Sequence, residues 1–318
     1  MALVTVVIPN YNGLKYIEDC LSSLEAQSFK DFDICLVDNH STDGSLELVE
    51  KSFQKVRIIK NEVNYGFARA VNQGIRDSSS EYVILLNNDT VCHRDFVEGL
   101  YRAIRADKKV FAYQARMIKL YDREHLDSAG DLYCALGWAF ALGKDADLKK
   151  YTKDCEVFSA CGGAAIYRRA LFEEIGYFDE GHESYLEDVD ICYRAKINGY
   201  RNRYTPEAIV YHAGSGVSGS RHNAFKVRLS SRNSVYLIYK NMPFLQLLIN
   251  LPFLLAGYIV KYFYFLKKGL GAEYAKGVLK GFGLCKKGKK YSFRGKNIFN
   301  YFRIQVELWV NLIRRVTG

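Results

Sequence analysis

Four short strand-like runs, Val4–Ile8, Asp33–Val37, Val56–Lys60 and Tyr82–Leu86, alternate with three helix-length segments over the first ninety residues of the chain. Strands set apart by helices of that length return by right-handed crossovers, so the pattern predicts a mainly parallel, Rossmann-like α/β sheet flanked by helices. The helices are expected near 14–26, 45–53 and 67–77. Beyond them the pattern predicts a helix over 93–106, a strand near 110–119, an irregular stretch 120–156, helices over 169–175 and 185–198, a strand over 207–211 and a helix over 225–241. The reading is one domain, 1–242, with a nucleotide half to 120 and an acceptor half from 121. Pro243 is a natural break before a tail, 243–318.

Three acidic groups follow one another along this frame. Val37-Asp38-Asn39, continuing through Ser41-Thr42-Asp43-Gly44-Ser45, ends one strand, Asn87-Asn88-Asp89 ends another, and Glu187-Asp188-Val189-Asp190 opens a helix. Ligands of open α/β sheets collect at the carboxyl ends of the strands. An Asp there can take a base or ribose hydrogen bond, and a second Asp can hold a divalent cation on a diphosphate through hard oxygen ligation. Asp38 can equally be a turn former, and Asp43 reads first as a helix cap. Asn64-Tyr65-Gly66-Phe67-Ala68 leads into a helix whose amide groups can face phosphate, or is a plain turn into a capped helix. Asn72, a turn further on, is either a nucleotide contact or helix surface.

Spacing separates the acids of the third group. Asp190 and Arg194 are i,i+4 partners and are expected as a surface pair, whereas Asp188 heads an apolar stripe with Ile191, Cys192 and Ala195. A carboxylate facing inward with Glu187 adjacent should have a raised pKa, which suits a general base. Gly214-Ser215-Gly216-Val217-Ser218-Gly219 spells a dinucleotide fingerprint, but it comes late, and no acid occurs between it and Glu273. A loop closing over a ligand is the better reading. Neither a P-loop nor a serine-nucleophile elbow is present.

Six stretches, Val6 to Asn12, Val37 to Ser45, Asn64 to Ala68, Leu86 to Thr90, Phe178-Asp179-Glu180 and Tyr185 to Arg194, occur in the order and spacing of the family 2 glycosyltransferases of the GT-A fold. The chain resembles that family over roughly residues 3–240, and the Asp-Asn and Asn-Asn-Asp variants resemble its rhamnosyltransferase branch. The resemblance implies an inverting, metal-dependent glycosyltransferase. Pro9, Tyr11, Asn12, Asp38, Asn64, Gly66, Asn72 and Asn88 would meet the nucleotide, and Asp89 with His212 would hold Mg²⁺ or Mn²⁺. Asp188 would be the base, with Cys161, Gly162, Gly163, Glu187 and Arg194 on the acceptor side. Asn87 replaces the first acid of a full D-x-D motif. The implied donor is dTDP-rhamnose or a UDP-sugar, and the acceptor a polyprenyl-diphosphate-linked saccharide or glycan. A nucleotidylyltransferase is the rival enzyme, but its Gly-rich phosphate loop is absent between Ile8 and Lys15. A non-catalytic sugar-nucleotide-binding or scaffold protein is the other alternative.

Charge is divided sharply along the chain. Before residue 240 there are 30 Lys/Arg against 33 Asp/Glu, whereas 240–318 hold 15 Lys/Arg against Glu273 and Glu307 alone. A basic tail can meet nucleic acid or an anionic membrane, and the apolar run Phe244 to Val260 favours the membrane. The expected form is an amphipathic helix pair lying in the interface, with a spanning helix, a soluble subdomain or a homodimer contact as alternatives. Eight cysteines without metal-ligand spacing read as reduced, buried thiols, and no export signal is visible. Together these point to a cytoplasmic protein attached peripherally to the inner face of the plasma membrane.

Overall fold

The structure, a computed structural model, describes residues 2–214 and 223–317. Its first half runs β1 (Val4–Asn10), α1 (Leu14–Glu25), β2 (Phe32–Asp38), α2 (Ser45–Ser52), β3 (Arg57–Lys60), α3 (Phe67–Asp77) and β4 (Tyr82–Leu86). β1 lies between β2 and β4, parallel to both, and β3 extends the edge beside β2. Every residue of β4 is buried, as expected for an apolar strand covered on both faces.

The strands alternate their side chains between two cores. Val4, Val6, Ile8, Ile84 and Leu86 face one core with α1 and α2, while Val7, Cys35, Val37, Val83 and Leu85 face the other with α3. This period of two is what pins the register, because a slip of one residue would exchange the faces. α3 lies very close to the sheet: a Cβ on Gly74 would come within 2.3 Å of Val7 Cγ1, so only glycine fits there.

Past β4 the sheet becomes mixed. β5 (Thr90–Cys92), α4 (Phe96–Ala106), β6 (Val110–Lys119), β7 (Asp122–Ser128), β8 (Asp131–Cys134), β9 (Trp138–Ala141), β10 (Cys155–Val157) and β11 (Ala164–Arg168) follow. Then come α5 (Leu171–Ile175), α6 (Glu187–Ile197), β12 (Arg201–His212) and α7 (Ala224–Asn241). β11 inserts antiparallel between β4 and β6, and β12 runs parallel to β6. The stretch 120–156, expected to be irregular, contains four short strands. They are short and broken by Gly130, Gly137 and Gly143, all at positive φ, so no alternation accumulates in the sequence.

The tail forms three helices rather than a pair: α8 (Phe244–Lys267), α9 (Gly271–Lys287) and α10 (Ile298–Thr317). A third core joins α8 and α10 to the preceding half of the chain, with Tyr133, Phe158, Val189 and Tyr193 packed against Leu237, Leu254, Ile304 and Leu308. They also bury polar groups and expose apolar ones. Gln246 and Asn250 are buried, bonding the Tyr193 hydroxyl at 2.9 Å and Gln305 at 2.7 Å, while Phe244, Leu245, Phe299 and Phe302 are each at least two-thirds exposed. By length and composition α8 can cross a membrane, with 22% of its most apolar window buried.

Candidate active site

The ends of β1 and β2 are tied together by one amide. Asn10 donates to Asp38 Oδ1 at 2.9 Å and to the hydroxyls of Ser41 and Ser45, and its Oδ1 accepts from Asn88 at 2.7 Å. Asp38, 1% exposed, also receives Ser41 N and Ser41 Oγ at 3.0 and 2.6 Å. Its carboxylate builds the loop 39–45, the turn-forming role. Asp43 serves two helices, accepting from Leu14 N at 2.8 Å and from Ser45 N at 3.1 Å. Asn12, at φ +50°, accepts from Thr42 N, and Tyr11 beside it is 42% exposed, with Pro9 on β1 behind them. These side chains rim the strand ends where a nucleotide can bind.

The entry to α3 differs from expectation. Asn64 Oδ1 accepts from Gly66 N at 2.9 Å, a local turn. Phe67 N and Ala68 N then donate to Ser184 Oγ and Glu183 O, at 3.3 and 2.9 Å, so these amides are closed off by protein and do not face a phosphate. A Cβ on Gly66 would meet Glu183 O at 2.9 Å, which accounts for that glycine by packing. Asn72 is likewise reassigned: 1% exposed, it donates to Phe178 O and Glu180 Oε1 and accepts from Phe178 N. It pins the 178–180 segment.

Strand pairing assembles the Asp89 and His212 pair. Thr90 faces His212 in the β5–β12 ladder, placing Asp89 Oδ1 3.2 Å from His212 Nε2. Asp127, at the end of β7, takes the other ring nitrogen at 2.7 Å and is itself paired with Lys144. Burial works against a charged imidazole here, but Asp127 and Asp89 raise His212 to about 9. Burial likewise opposes a charge on Asp127, which His212 and Lys144 nevertheless hold at about 2. A carboxylate oxygen and an imidazole nitrogen 3.2 Å apart suit a divalent cation once the ring gives up its proton, and a carboxylate behind the imidazole is the usual way of fixing a ligating ring. Asp127 lies in the stretch expected to be irregular; the short spacing of Asp127 and Asp131 around Gly130 was its one sequence signal.

Asn87 N donates to Gly163 O at 2.9 Å, so the Cys161-Gly162-Gly163 turn touches the Asn-Asn-Asp motif. The same turn holds the third acidic group. Asp188 Oδ1 accepts from Val189 N at 2.7 Å, and the Gly162 amide and Cys161 thiol also point at its carboxylate. Burial raises Asp188 to about 6, whereas Glu187, 7% exposed and with Oε2 unpartnered, is pushed well above its ordinary range by burial and by Asp188. Asp131, at the start of β8, Cys161 and Asp188 each bring a polar atom within 4.8 Å of the other two.

The segment before Asp188 is strained. Glu183, Tyr185 and Leu186 all have positive φ, near +60 to +70°, which side-chain-bearing residues rarely adopt. Asn233 on α7, fully buried, holds the segment by donating to the carbonyls of His182, Ser184 and Tyr185, each at 2.8 Å.

Asp190 and Arg194 form a buried pair, 0% and 3% exposed, and not a surface one. Arg194 also donates to the carbonyls of Ile175, Gly176 and Tyr177, and so clamps the end of α5 away from any acceptor. Burial alone would neutralise Asp190, but Arg194 and Lys240 hold it far below the usual carboxylate range. His182 beside it is neutral, lowered to about 4 by burial, with both ring nitrogens unpartnered. Two residues apart on α6, Asp188 and Asp190 face opposite sides of the helix and meet different partners. The closing loop expected at Gly214 to Gly219 lies outside the described residues, save Gly214.

A profile of the family described as Glycosyl transferase family 2 matches residues 5–176. The glycosyltransferase GlyG of Streptococcus pneumoniae is 32% identical over 106 residues, 32% of this chain and 35% of its own length. The chain thus spans about a third of that relative. Among solved structures, a mannosyltransferase of Pyrobaculum calidifontis with GDP-Man and Mn²⁺ superposes with a TM-score of 0.56 at 18% identity, covering 88% of this chain and 87% of that one. GalNAc-T7 with UDP, GalNAc and Mn²⁺ gives 0.60 at 17% identity, covering 75% and 48%. These two likenesses establish the fold.

Proposed function

From the premise that this chain belongs to glycosyl transferase family 2, we propose that it is an inverting, metal-dependent glycosyltransferase acting on a nucleotide-diphosphate sugar. The observation that carries the reading is the Asp89, His212 and Asp127 cluster, joined through the Cys161-Gly162-Gly163 turn to a half-buried carboxylate, Asp188, poised as a base. Tyr11 and Asn12 flank the nucleotide, above the loop that Asp38 braces. Asp188 accepts the proton of the acceptor hydroxyl as its oxygen attacks the anomeric carbon and the nucleoside diphosphate departs from the opposite face, which inverts the centre. Asp89 and His212 are the residues that would hold Mg²⁺ or Mn²⁺, which when bound would supply charge compensation for a diphosphate leaving group. A base near 6 is mostly ionised at neutral pH yet still basic enough to take a proton in the transition state.

The donor is dTDP-rhamnose or a UDP-sugar, and the acceptor a polyprenyl-diphosphate-linked saccharide at the inner face of the membrane. The tail supports the second half of this reading, because an outward apolar face beside 15 basic residues suits anionic lipid. The test is incubation of the purified protein with a panel of dTDP-, UDP- and GDP-sugars, Mn²⁺ and extracted membrane lipids. Release of nucleoside diphosphate with sugar appearing in the lipid phase supports the proposal; cleavage of none of the donors by protein that binds them refutes it.

A further inference from the structure

The carboxyl of Asp131 is placed rigidly and then left without a structural task. Its backbone is fixed on both sides: Asp131 N donates to Ser159 O at 2.8 Å, Asp131 O accepts from Phe158 N and Ser159 N at 3.0 Å, and the residue pairs with Ala141 across the β8–β9 hairpin. Among the described residues no hydrogen bond joins its carboxyl to another group. Half-buried, it instead brings an oxygen within 4.8 Å of the polar atoms of Asp188 and Cys161. A free carboxyl on a fixed backbone, aimed at the base of a transferase, is costly for stability and useful only for chemistry.

We propose that Asp131 pairs with Asp188 and that the pair enters each reaction cycle carrying one proton, held on Asp131. This deepens the preceding reading and rests on Asp188 being its base. Asp131 acts through Asp188, as a positioning residue. Two carboxylates this close cannot both ionise freely, so one keeps its proton. The groups facing Asp131 are Asp188 and Glu187 from α6, Cys161 from the turn before β11, Asp127 from β7 and Lys144 after β9. Lys144 is already paired with Asp127, and Glu187 and Cys161 are pushed toward their neutral forms. Burial, then Asp188 and Asp127, raise Asp131 to about 8, against about 6 for Asp188.

The proton count closes. With Asp131 protonated and Asp188 ionised, the acceptor O–H proton passes to Asp188, a bond forms between the acceptor oxygen and the anomeric carbon, and the bond from that carbon to the diphosphate oxygen breaks with its electron pair leaving on the diphosphate. The pair then holds two protons and returns one to solvent. The neutral Asp131 spares an incoming anionic acceptor a second negative charge beside the base.

The experiment is the pH dependence of kcat/KM for Mn²⁺-supported hydrolysis of a nucleotide sugar, water serving as the acceptor, together with ¹³C-carboxyl NMR titration of Asp-labelled protein. Wild type should rise through pH about 6 and fall through about 8. Asp131→Asn, which mimics the neutral acid, should keep the rise and lose the fall; Asp131→Ala should lower the whole profile. In the NMR titration Asp131 should titrate well above the ordinary carboxylate range and drop toward it in Asp188→Asn. An Asp131→Asn profile with the wild-type alkaline limb, or an Asp131 resonance titrating in the ordinary range of the intact protein, overturns the pairing. Undiminished hydrolysis by Asp188→Asn would instead overturn the assignment of the base, and the NMR arm reads the pair independently of turnover.

Discussion

The Lys240 ammonium meets the Asp190 carboxylate at 2.9 Å across the seam between α7 and α6, with both groups sealed from solvent. Arg194 reaches the same oxygen from within α6. Removing the charge of Asp190 leaves the buried Arg194 without its carboxylate and Lys240 with Asp179 alone, and breaking such a pair costs about 3–5 kcal/mol. Asp190→Asn is therefore expected to unfold at markedly lower denaturant with its m-value unchanged. A midpoint equal to wild type would show that the pair is not holding α6 to α7.

His182 makes the fold acid-sensitive. Its folded pKa, about 4, lies below the unfolded value of 6.5, so the unfolded chain binds the extra proton first. Stability is fully present above 6.5 and falls as pH drops toward 4, by roughly 3 kcal/mol for a gap of this size. His182→Leu should flatten that part of the curve of unfolding free energy against pH. An unchanged slope would assign the acid sensitivity elsewhere.

Asp188→Asn keeps the shape of the base and removes its function. Turnover should fall by ~10²- to 10⁴-fold, the usual worth of a general base, while donor affinity measured by calorimetry stays near wild type. Loss of donor binding in the same variant would mean that Asp188 shapes the nucleotide site.

Excess chelator should abolish transfer and Mg²⁺ or Mn²⁺ restore it. Asp127→Asn, which loosens the His212 ring without touching Asp89, should weaken Mn²⁺ binding by about 10- to 100-fold. Mn²⁺ electron paramagnetic resonance reads this directly, and equal affinity in the two proteins would remove Asp127 from the site.

Deleting the tail is a poor test of membrane attachment, because α8 and α10 complete the third core. Lysine substitutions at Phe299 and Phe302, 78% and 68% exposed, leave that core intact. They should reduce cosedimentation with anionic vesicles at high salt, where screening removes the basic contribution and leaves apolar insertion. Retention equal to wild type would place the lipid contact elsewhere.

Much of the site was legible because strand ends can be read from apolar runs: Asp38 and Asp89 fall where β2 and β4 predicted, and Asp188 opens its helix. The misreadings share one physical source. Asn72, Arg194 and Asp190 bond to backbone or side chains elsewhere in the chain, at Phe178, Ile175 and Lys240, and no local pattern carries a partner 19 to 106 residues away. Spacing made Asp190 and Arg194 partners correctly, but a helix pattern cannot tell that α7 will cover them. Asp127 and Asp131 escaped notice because strands of four to seven residues interrupted by glycines leave no period to detect.

The grip of Asn233 on residues 182–185 orders events during synthesis. A ribosome releases α6 before α7, so a growing chain that already displays Asp188 still lacks the amide that holds the preceding residues left-handed. The donor half is complete by then, with β1 to β4 paired. Asn233→Ala in the full chain should accordingly keep binding sugar nucleotide while losing most of its cleavage, which calorimetry beside a donor-hydrolysis assay can check.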